Sequence, residues 1–503
     1  MSKRIGKASG LRLHFGSIYN RYVRYDDGRG HDVEFTHDNC ENGVLMSRTT
    51  TLLILLATAC LVSRASAASS PNIVMIISDD QAWNDYSFIG HDSIETPHLD
   101  QLASRSALFT RGYVPTALCR PSLLTLATGL YASQHGVTGN DPARPASQDA
   151  AEYNQARSAL IAKIDQLPTV PKILGKIGYR SHQSGKWWEG NFRRGGFTEG
   201  MTRGFPEPGG RHGDDGLKIG REGLAPLLNF IDSSAKEQTP FFVWYAPFLP
   251  HSPHNPPERL LKKYQAPGRP TKLAQYYGMC EWFDETCGTL VDHLDKRGLS
   301  ENTLIVYVTD NGWIQRTELT QVAEDWKSPF APRSKQSPNE GGVRTPIMLC
   351  WPGRIVPEVR PEIVSSIDLV PTILAAVAVE TPHGLPGKNL LPVLAGQRPL
   401  DRDAIFGESF AHDVADVNNP QATLLYRWVI QGRWKLILTY DGEVPRLKSV
   451  HAHVERRPQL FDLLADPHEQ ENLAAGHPEL IEELAAKIAS WWSADQRKAQ
   501  TSL

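Results

Sequence analysis

Acidic residues follow two apolar segments of the sequence, and their types suit a metal site. One segment ends in Asp79 and Asp80, and the other ends in Asp310 and Asn311. Because ligands bind beyond the carboxyl ends of the strands in an open α/β sheet, we expect the four side chains to meet there. Three carboxylates and one amide oxygen are hard donors that suit Ca²⁺ or Mg²⁺ better than a soft metal. Either pair alone could merely cap a loop or helix, but two pairs after two such segments favour a shared metal site.

A cysteine stands where a second element of the site would begin. The sequence Cys119-Arg120-Pro121-Ser122 places a proline in the first turn of a helix that we predict to start at Cys119. The free N–H groups and the positive dipole end of such a helix favour both a nucleophile and a bound oxyanion. Cys119 is therefore a candidate nucleophile.

Short, continuously apolar segments that alternate with amphipathic helical stretches predict the elements that position these residues. The segments are 72–78, 179–184, 240–245, 303–309 and 346–351. Strands buried on both faces and separated by helices predict an α/β fold, a large and mostly parallel β-sheet sandwiched by helices. We also predict a helix with Thr96 as its N-cap and Pro97 in its first turn.

The pattern changes in the last part of the chain. Residues 426–438 predict an antiparallel hairpin, and a last helix is predicted to follow Asn472 and to end near Trp492. We therefore expect a catalytic domain over 71–395 and a smaller C-terminal α+β subdomain with an antiparallel sheet over 396–503.

Two segments, 140–170 and 190–225, are rich in Gly, Arg, Pro and Asp and lack periodicity. Loops this long in a compact domain are usually functional, so we expect them to form walls of the active site. Within the second segment, Arg203, Arg211 and His212 are candidates for contacting a second anionic group of a substrate, or are ordinary loop charges.

The composition excludes several classes of protein. The 503 residues carry 53 Lys and Arg against 56 Asp and Glu, a formal net charge of −3, and 22% of them are charged and 40% hydrophobic. This composition argues against a disordered tail, a collagen-like fibre and a basic nucleic-acid binder. We expect an enzyme-sized globular protein with no nucleic-acid partner.

A leader sequence is the best interpretation of the N-terminal region. The uncharged apolar run Leu52–Val62 follows Met46-Ser47-Arg48 and precedes the small residues Ala65-Ser66-Ala67, which is the pattern of a secretory signal too short to span a bilayer. We therefore predict a signal peptide over 46–67, an upstream mis-translation over 1–45, and an exported, periplasmic or secreted protein without a membrane span. A genuine N-terminal extension and a lipoprotein attachment at Cys60 are the less favoured alternatives.

Three further cysteines, Cys280, Cys287 and Cys350, remain besides Cys119 after the predicted leader. Four cysteines are too few for a disulfide scaffold. Cys280 and Cys287 lie seven residues apart on one face of a predicted helix, so a direct bridge between them is not expected.

The segment from Cys119 to Gly129 resembles the signature C-x-P-S-R-x-x-x-x-T-G of the type I, formylglycine-dependent sulfatases in the alkaline-phosphatase-like superfamily. Other motifs of that family follow in family order. They are Asp79-Asp80, Gly185-Lys186-Trp187, Asp310-Asn311-Gly312, Lys335 five residues before Glu340–Pro346, Leu460–Leu463 and Asp466–Glu469. The resemblance covers roughly residues 71–475, and so many ordered motifs identify the chain as a member of the family.

The resemblance implies an exported sulfuric ester hydrolase whose Cys119 is oxidised to formylglycine by a maturation enzyme. The hydrate of that residue would attack sulfur, expel the alcohol and then release sulfate by elimination. By the same resemblance, Asp79, Asp80, Asp310 and Asn311 hold the metal together with residue 119. The substrate would be an organic sulfate ester, with a sulfated carbohydrate as one candidate.

The resemblance also assigns the basic residues of the site. Lys186 and Lys335 would stabilise the charge that develops on the sulfuryl oxygens. His251 corresponds to the sulfate-binding histidine of the family, and His254 is the fallback for that role. Each of these side chains has an ordinary alternative, a solvated lysine or a loop histidine bonded to backbone.

Two positions depart from the family pattern. Leu123 replaces the signature arginine, which the family pairs with the formylglycine region and presents to the maturation enzyme, and Arg120 could replace its charge only in part. Trp188 stands in place of a histidine that the family uses near the nucleophile, which leaves either Glu189 or His182 as a substitute or a weaker mechanism. Trp188 itself could stack on a sugar or aryl ring or simply pack in a loop.

These departures keep two other functions open. A phosphodiesterase or phosphonate-ester hydrolase of the same superfamily could use the same metal, nucleophile and lysines on phosphoryl oxygens. A non-catalytic protein that binds sulfate or a glycan on the same fold could retain the contacts without turnover. The complete set of metal ligands, the cysteine and both lysines favour the hydrolase.

Overall fold

The computed structural model of the chain describes residues 70–144, 149–443, 450 and 455–492. The predicted signal peptide over 46–67, the segment 1–45 and Cys60 lie outside the described residues, so export remains a prediction.

A mixed sheet of nine strands forms the centre of the described part of the chain. The strands are β1 (Asn72–Ser78), β2 (Ala107–Tyr113), β4 (Arg180–Gly185), β5 (Glu199–Gly200), β6 (Phe241–Ala246), β7 (Thr303–Thr309), β8 (Arg344–Cys350), β9 (Glu358–Arg360) and β10 (Val364–Ser365). Their order is β10-β2-β8-β7-β1-β6-β4-β5, and β9 also pairs with β2. Strands β7, β1, β6, β4 and β5 are parallel, whereas β8 is antiparallel to both β7 and β2. The predicted mostly parallel sheet is confirmed.

Helices cover both faces of this sheet, because its central strands are apolar on both sides. The helices of the described residues, on this sheet and elsewhere, are α1 (Pro97–Ser104), α2 (Cys119–Thr128), α3 (Ala132–His135), α4 (Ala150–Ala162), α5 (Val170–Gly175), α6 (Ala225–Lys236), α7 (Glu258–Tyr264), α8 (Thr271–Lys296), α9 (Glu340–Val343), α10 (Leu369–Ala376), α11 (Leu391–Leu394) and α12 (Pro478–Trp491). Successive residues of β1 alternate between two cores. Ile73 and Met75 pack on the side of α2, and Val74 and Ile76 pack on the side of α8.

A second, antiparallel sheet follows in the chain, as the hairpin pattern predicted. It consists of β11 (Ile405–Phe410), β13 (Leu424–Gln431), β14 (Trp434–Thr439) and β15 (Gln459–Asp462), in that order. Helix α12 contributes Ile481, Leu484 and Ile488 to the core beneath this sheet. The proposed domain boundary near residue 395 stays a prediction.

The short pair β3 (Asp141–Pro142) and β12 (Asp413–Val414) forms a separate two-stranded sheet. It connects the loop after α3 with the segment that follows β11. This pair therefore fixes Asp141 beside the C-terminal part of the chain.

The structure corrects two local predictions. The segment 140–170 is not all loop, because α4 lies within it and is N-capped by Asp149. Its alanine-rich composition favours a helix, but only Leu160 and Ile161 are buried, so the segment lacks an apolar stripe that periodicity could detect. Helix α1 does begin at Pro97, but Thr96 is not its side-chain cap. The carboxylate of Asp284 instead accepts hydrogen bonds from the first turn of α1.

Two expectations about the described residues hold. Cys280, Cys287 and Cys350 are free, so no bridge joins Cys280 to Cys287. Within the described ranges, no helix combines the length and the apolar character needed to cross a membrane.

Candidate active site

The predicted metal ligands meet at the carboxyl edge of the large sheet. Asp79 follows β1 and Asp310 follows β7, and the backbone N–H of Asp310 donates to the carbonyl oxygen of Ser78 at 2.9 Å. The N–H of Asp80 donates to Asp310 Oδ1 at 3.1 Å, and Asn311 Nδ2 donates to Asp80 Oδ1 at 2.6 Å. Neighbouring parallel strands therefore bring the two acidic pairs into direct contact.

Asp80 adopts an unusual backbone conformation at this point. Its φ is 63°, in the left-handed region that residues with side chains rarely occupy. A strained backbone conformation of this kind persists only where the surrounding structure holds it in place, and such conformations are common at active sites. Here it turns the carboxylate of Asp80 toward Asn311 and the residues described next.

Three oxygen atoms of this cluster lack a hydrogen-bond donor among the described residues, although Asp310 Oδ2 lies 3.9 Å from Lys186 Nζ. Asp79 Oδ2, Asp310 Oδ2 and Asn311 Oδ1 are buried and make no hydrogen bond within the described part of the chain. Buried polar atoms are nearly always satisfied, so three such oxygens together fit the binding of a cation. Asp79, Asp80, Cys119 and His251 can also each place one ligand atom within 4.8 Å of the others. The residues therefore fit a divalent metal ion with oxygen ligands.

Both predicted lysines are buried in the same cluster and are not surface charges. Lys186 Nζ lies 2.6 Å from Asp79 Oδ1 and 3.9 Å from Asp310 Oδ2. Lys335 Nζ donates to Asp80 Oδ1 at 2.6 Å and to Cys119 Sγ at 3.0 Å. Burial alone would lower the pKa of each lysine, but the surrounding carboxylates raise it above the ordinary value.

The charges of this cluster do not balance. The three carboxylates of Asp79, Asp80 and Asp310 pair with the two ammonium groups of Lys186 and Lys335, so these five buried groups together carry one excess negative charge when all are ionised. Burial and the neighbouring carboxylates raise the pKa of Asp79, although Lys186 opposes the shift. A divalent cation would reverse this imbalance and favour the ionised acids.

Gly185 allows Lys186 to enter the site. A Cβ atom at this position would lie 1.7 Å from the carbonyl oxygen of Ala246, and the φ of Gly185 is 88°. Only glycine fits this close approach between β4 and β6. The N–H of Lys186 then donates to the Ala246 carbonyl at 2.8 Å, which directs the lysine across the carboxyl edge.

Cys119 begins α2, as predicted, and is 2% exposed. Burial raises the pKa of its thiol to about 11, although Lys186 and Lys335 act in the opposite direction. The unmodified thiol is thus protonated at neutral pH and is a weak nucleophile. The position is right for a nucleophile, but the thiol itself is poorly suited to the role.

His251 also joins the cluster. Its Nδ1 lies 2.6 Å from the carbonyl oxygen of Ser252, which can only accept, so the ring proton resides on Nδ1. The unprotonated Nε2 then faces Asp80 Oδ2 at 3.3 Å. Two acceptors at this distance need a proton or a cation between them. Arg221 holds the loop by donating to the carbonyl oxygens of Phe248 and His251, each at 2.9 Å.

His254 and Trp188 are both packed against other rings. The ring of His254 lies 5.3 Å from that of Tyr276 and 5.9 Å from that of Trp313. Trp188 is 4% exposed, and its ring lies 5.2 Å from both Lys186 Nζ and the ring of His212. Trp188 therefore lines the site as a packed side chain and offers little surface for stacking.

Neither side chain considered as a substitute for the missing histidine is available. His182 points from β4 to the ring of Phe230, 5.1 Å away. Glu189 accepts two hydrogen bonds at 2.7 Å, from Nε and Nη2 of Arg120. Leu123 packs in the hydrophobic core, so the part of α2 that would carry the signature arginine is apolar.

The buried Arg120–Glu189 ion pair is a structural element that the sequence did not reveal. Arg120 is 2% exposed, its Nη1 donates to the carbonyl oxygen of Asn140 at 3.1 Å, and its backbone N–H donates to Asn140 Oδ1 at 3.0 Å. The pair joins the start of α2 to the loop after β4, and thus residue 119 to Lys186. No sequence signal indicated it, because its partners are distant in the chain.

We expect the substitution Arg120→Met to destabilise the protein by about 3–5 kcal/mol, because it leaves the Glu189 carboxylate buried without a partner. The double substitution Arg120→Met/Glu189→Leu should cost much less, since it removes both charges. Denaturant unfolding of the three proteins measures the difference. Equal stability loss in the single and double variants would contradict this assignment.

The geometry can now be compared with known proteins. A protein-family model described as "Sulfatase" matches residues 71–379. A second family model, described as "N-sulphoglucosamine sulphohydrolase, C-terminal", matches residues 334–493. The chain is 29% identical to human (Homo sapiens) arylsulfatase A over 482 residues, which cover 86% of this chain and 89% of the relative. It is also 29% identical to the N-acetylgalactosamine-6-sulfatase of Rattus norvegicus, covering 83% and 84% of the two chains.

Solved structures share the fold. A protein described in connection with the metabolism of multiple glycosaminoglycans by Bacteroides thetaiotaomicron superimposes with a TM-score of 0.64 and 22% identity, covering 84% of this chain and 99% of the other. The phosphonate monoester hydrolase of Agrobacterium radiobacter gives a TM-score of 0.57 and 19% identity, covering 86% and 100%. With the profile match over most of the α/β part, the comparisons establish that this chain belongs to the sulfatase family and is a sulfuric ester hydrolase.

Proposed function

We propose that the chain removes sulfate from carbohydrate sulfate esters, with a formylglycine derived from Cys119 as nucleophile and Ca²⁺ as the bound metal. The observation that supports this most directly is the contact of Cys119 with Lys335 beside three unpartnered ligand oxygens. A cysteine, a metal-ligand cluster and two buried cations within one site are the parts that transfer of a sulfuryl group requires.

Ca²⁺ would be held by Asp79, Asp80, Asp310 and Asn311. Carboxylate and amide oxygens are its preferred ligands, and the net negative charge of the cluster favours a divalent cation. When bound, the ion supplies Lewis-acid stabilisation of charge on sulfuryl oxygens and acidifies an oxygen nucleophile. The protein holds its ligand oxygens ready through the contacts between Asp80, Asp310 and Asn311.

Cys119 has to be modified to act in this site. Its thiol is protonated at neutral pH, and sulfur is a soft ligand beside a hard cation. A maturation enzyme that brings an external oxidant would oxidise the side-chain carbon to an aldehyde with loss of the sulfur, and addition of water to the aldehyde would supply the attacking hydroxyl. Because Cys119 Sγ lies 3.0 Å from Lys335 Nζ, a hydroxyl on the modified residue would lie next to Lys335.

The remaining residues bind the sulfuryl group. Lys186 and Lys335 each carry a charge-assisted donor into the buried site, where such contacts are stronger than in water. His251 directs Nε2 toward Asp80 because the Ser252 carbonyl holds its proton on Nδ1. Together they would position the ester and offset the charge that develops on its oxygens.

Carbohydrate as the substrate class, and export as the location, are supported separately. The relatives include N-acetylgalactosamine-6-sulfatases, and a neighbour with a TM-score of 0.61 was solved in complex with its substrate D-glucosamine-2-N,6-O-disulfate. The leader pattern over 46–67 supports export to the periplasm or the medium.

Sulfate release tests the proposal. Protein from a host that matures sulfatases is incubated with sulfated monosaccharides, 4-nitrophenyl sulfate and an aryl phosphonate monoester, and the released anions are quantified by ion chromatography. We expect sulfate release from the sugar esters at a higher kcat/KM than hydrolysis of the phosphonate ester. Faster phosphonate hydrolysis would favour the phosphonate-ester hydrolase, and binding of sulfated sugars without release would favour the non-catalytic alternative.

A further inference from the structure

A pair of arginines lies beside the proposed sulfuryl site and is not used in the mechanism. Arg211 donates to Asp141 Oδ2 through Nε at 2.9 Å, and Arg157 donates to Asp141 Oδ1 through Nη2 at 2.8 Å. Two guanidinium groups thus share one carboxylate. The side chain of Arg211 is 39% exposed and that of Arg157 is 15% exposed, whereas Asp141 is buried.

Backbone contacts place this arginine pair next to the reacting groups. Asp141 directly follows Asn140, which accepts the hydrogen bond from the N–H of Arg120, the neighbour of residue 119. Arg211 directly precedes His212, whose carbonyl oxygen accepts from the N–H of Trp187, the neighbour of Lys186. The two sides of the pair are therefore anchored to the two segments that carry the nucleophile and Lys186.

Trp188 links the arginine pair to the sulfuryl site. Lys186 Nζ lies 5.2 Å from the centre of the Trp188 ring, and Arg211 Cζ lies 6.0 Å from the same point. The separation of the two cations is at most the sum of these distances. One monosaccharide that carries two anionic substituents, together with its hydrogen bonds, can bridge such a gap.

Both arginines have donors left for a ligand. Over the ranges that the structure describes, Nη1 of Arg211 and both Nε and Nη1 of Arg157 make no hydrogen bond, because each arginine meets Asp141 through its other nitrogens. Guanidinium groups bind carboxylate and sulfate with paired, charge-assisted hydrogen bonds. The N–H groups that make no hydrogen bond are thus of the type that recognises an oxyanion.

The local charges leave the arginine pair positive. The single carboxylate of Asp141 faces two guanidinium groups, and Asp413, its neighbour across β3 and β12, lies 2.6 Å from His412 Nδ1. Burial opposes the ionised form of Asp141, but the two arginines lower its pKa to about 2, so it remains a fixed anion that orients them. Glu189 does not compete, since Arg120 occupies it.

We propose that Arg211 and Arg157, held by Asp141, form a subsite for a second anionic group of the substrate, a sulfate or carboxylate on the sugar that carries the scissile ester. This inference rests on the proposed function and narrows it to acidic carbohydrates. Arg203, the other arginine considered for such a role, is instead paired with Asp215 at 3.5 Å on the exposed surface.

Substrate pairs test this subsite. The kcat/KM is measured for a disulfated monosaccharide, for a sulfated uronic acid and for a neutral monosulfated sugar, with the wild type, Arg211→Ala and Arg203→Ala. We expect Arg211→Ala to reduce the preference for one of the dianionic substrates by roughly 10- to 100-fold, the effect of losing a hydrogen bond between charged groups. Arg203→Ala should leave this preference as it is in the wild type. The dianionic substrate that is affected identifies the group as sulfate or carboxylate.

A binding measurement separates failure of this subsite from failure of the hydrolase proposal. Titration calorimetry of the same sugars is performed on Cys119→Ala, with and without Arg211→Ala, so that no turnover is needed. If binding depended on Arg211 but the wild type hydrolysed none of the sugars, the result would support the subsite and contradict the proposed reaction. The subsite would be overturned if Arg211→Ala lowered the affinity for all three sugars equally. It would also be overturned if the wild type preferred neither dianionic sugar to the neutral one.

Discussion

The substitution Cys119→Ala is expected to lower the rate of sulfate-ester hydrolysis by a factor on the order of 10⁴ to 10⁶, the usual consequence of removing a nucleophile. The residue begins α2, is buried, and contacts Lys335, and an alanine in this position supplies no attacking atom. Steady-state kinetics with a sulfated sugar measures the loss. Cys350→Ala is the matched control, because Cys350 is also a buried free thiol but lies outside the site.

The chemical state of residue 119 decides how this loss is interpreted. Trypsin does not cleave before proline, so Cys119 lies in the tryptic peptide Gly112–Arg157. Conversion of the thiol to formylglycine lowers the mass of this peptide by about 18 Da. An unmodified thiol in fully active protein would refute the formylglycine mechanism for this chain. A modified residue would show that Leu123 does not prevent maturation.

Removal of the metal is the second change with a large expected effect. Chelation should abolish turnover, and added Ca²⁺ should restore it and raise the melting temperature by several degrees. At a concentration of about 100 times Kd, a ligand that binds only the folded state stabilises it by about 2.7 kcal/mol. The physical reason is the unbalanced negative charge of the cluster and the three oxygens that no protein group satisfies.

The substitution Asp310→Ala tests the same site without a chelator. It removes one of the unpartnered oxygens and one negative charge, so the shift of the melting temperature by Ca²⁺ should disappear. Asp403→Ala is the control, since Asp403 pairs with Lys487 on the exposed surface. If Asp310→Ala retained the full Ca²⁺-dependent shift measured by calorimetry, the ion would have to bind elsewhere.

The Arg120–Glu189 pair explains how the start of α2 is held in a chain that lacks the signature arginine. A side chain at position 120 extends in a different direction from one at position 123, and here it reaches the loop after β4. Because the same loop carries Lys186 and Trp188, the pair couples the position of residue 119 to that of Lys186. The histidine that the family has in place of Trp188 is not replaced in a comparable way by either candidate. His182 packs against Phe230, and Glu189 is paired with Arg120.

The sequence by itself determined the fold class and predicted which candidate site residues would lie close together. Continuous apolar segments can be buried only as central strands, and parallel strands must end at a common edge. The acids after β1 and β7 were therefore predictable neighbours. The motifs that occur in the order of the sulfatase family also predicted that Lys186, His251 and Lys335 belong to the site. Basic side chains of these types suit the binding of sulfuryl oxygens.

Only the tertiary structure decided how these side chains are used. The contact of Lys335 with Cys119, the orphaned oxygens of the metal cluster and the arrangement of Arg157 and Arg211 around Asp141 all join residues that are distant in sequence. Composition and periodicity report which face of an element is buried, but they carry no information on where a long charged side chain points. That direction depends on the packing of several elements at once, so the ion pairs could be seen only in the folded chain.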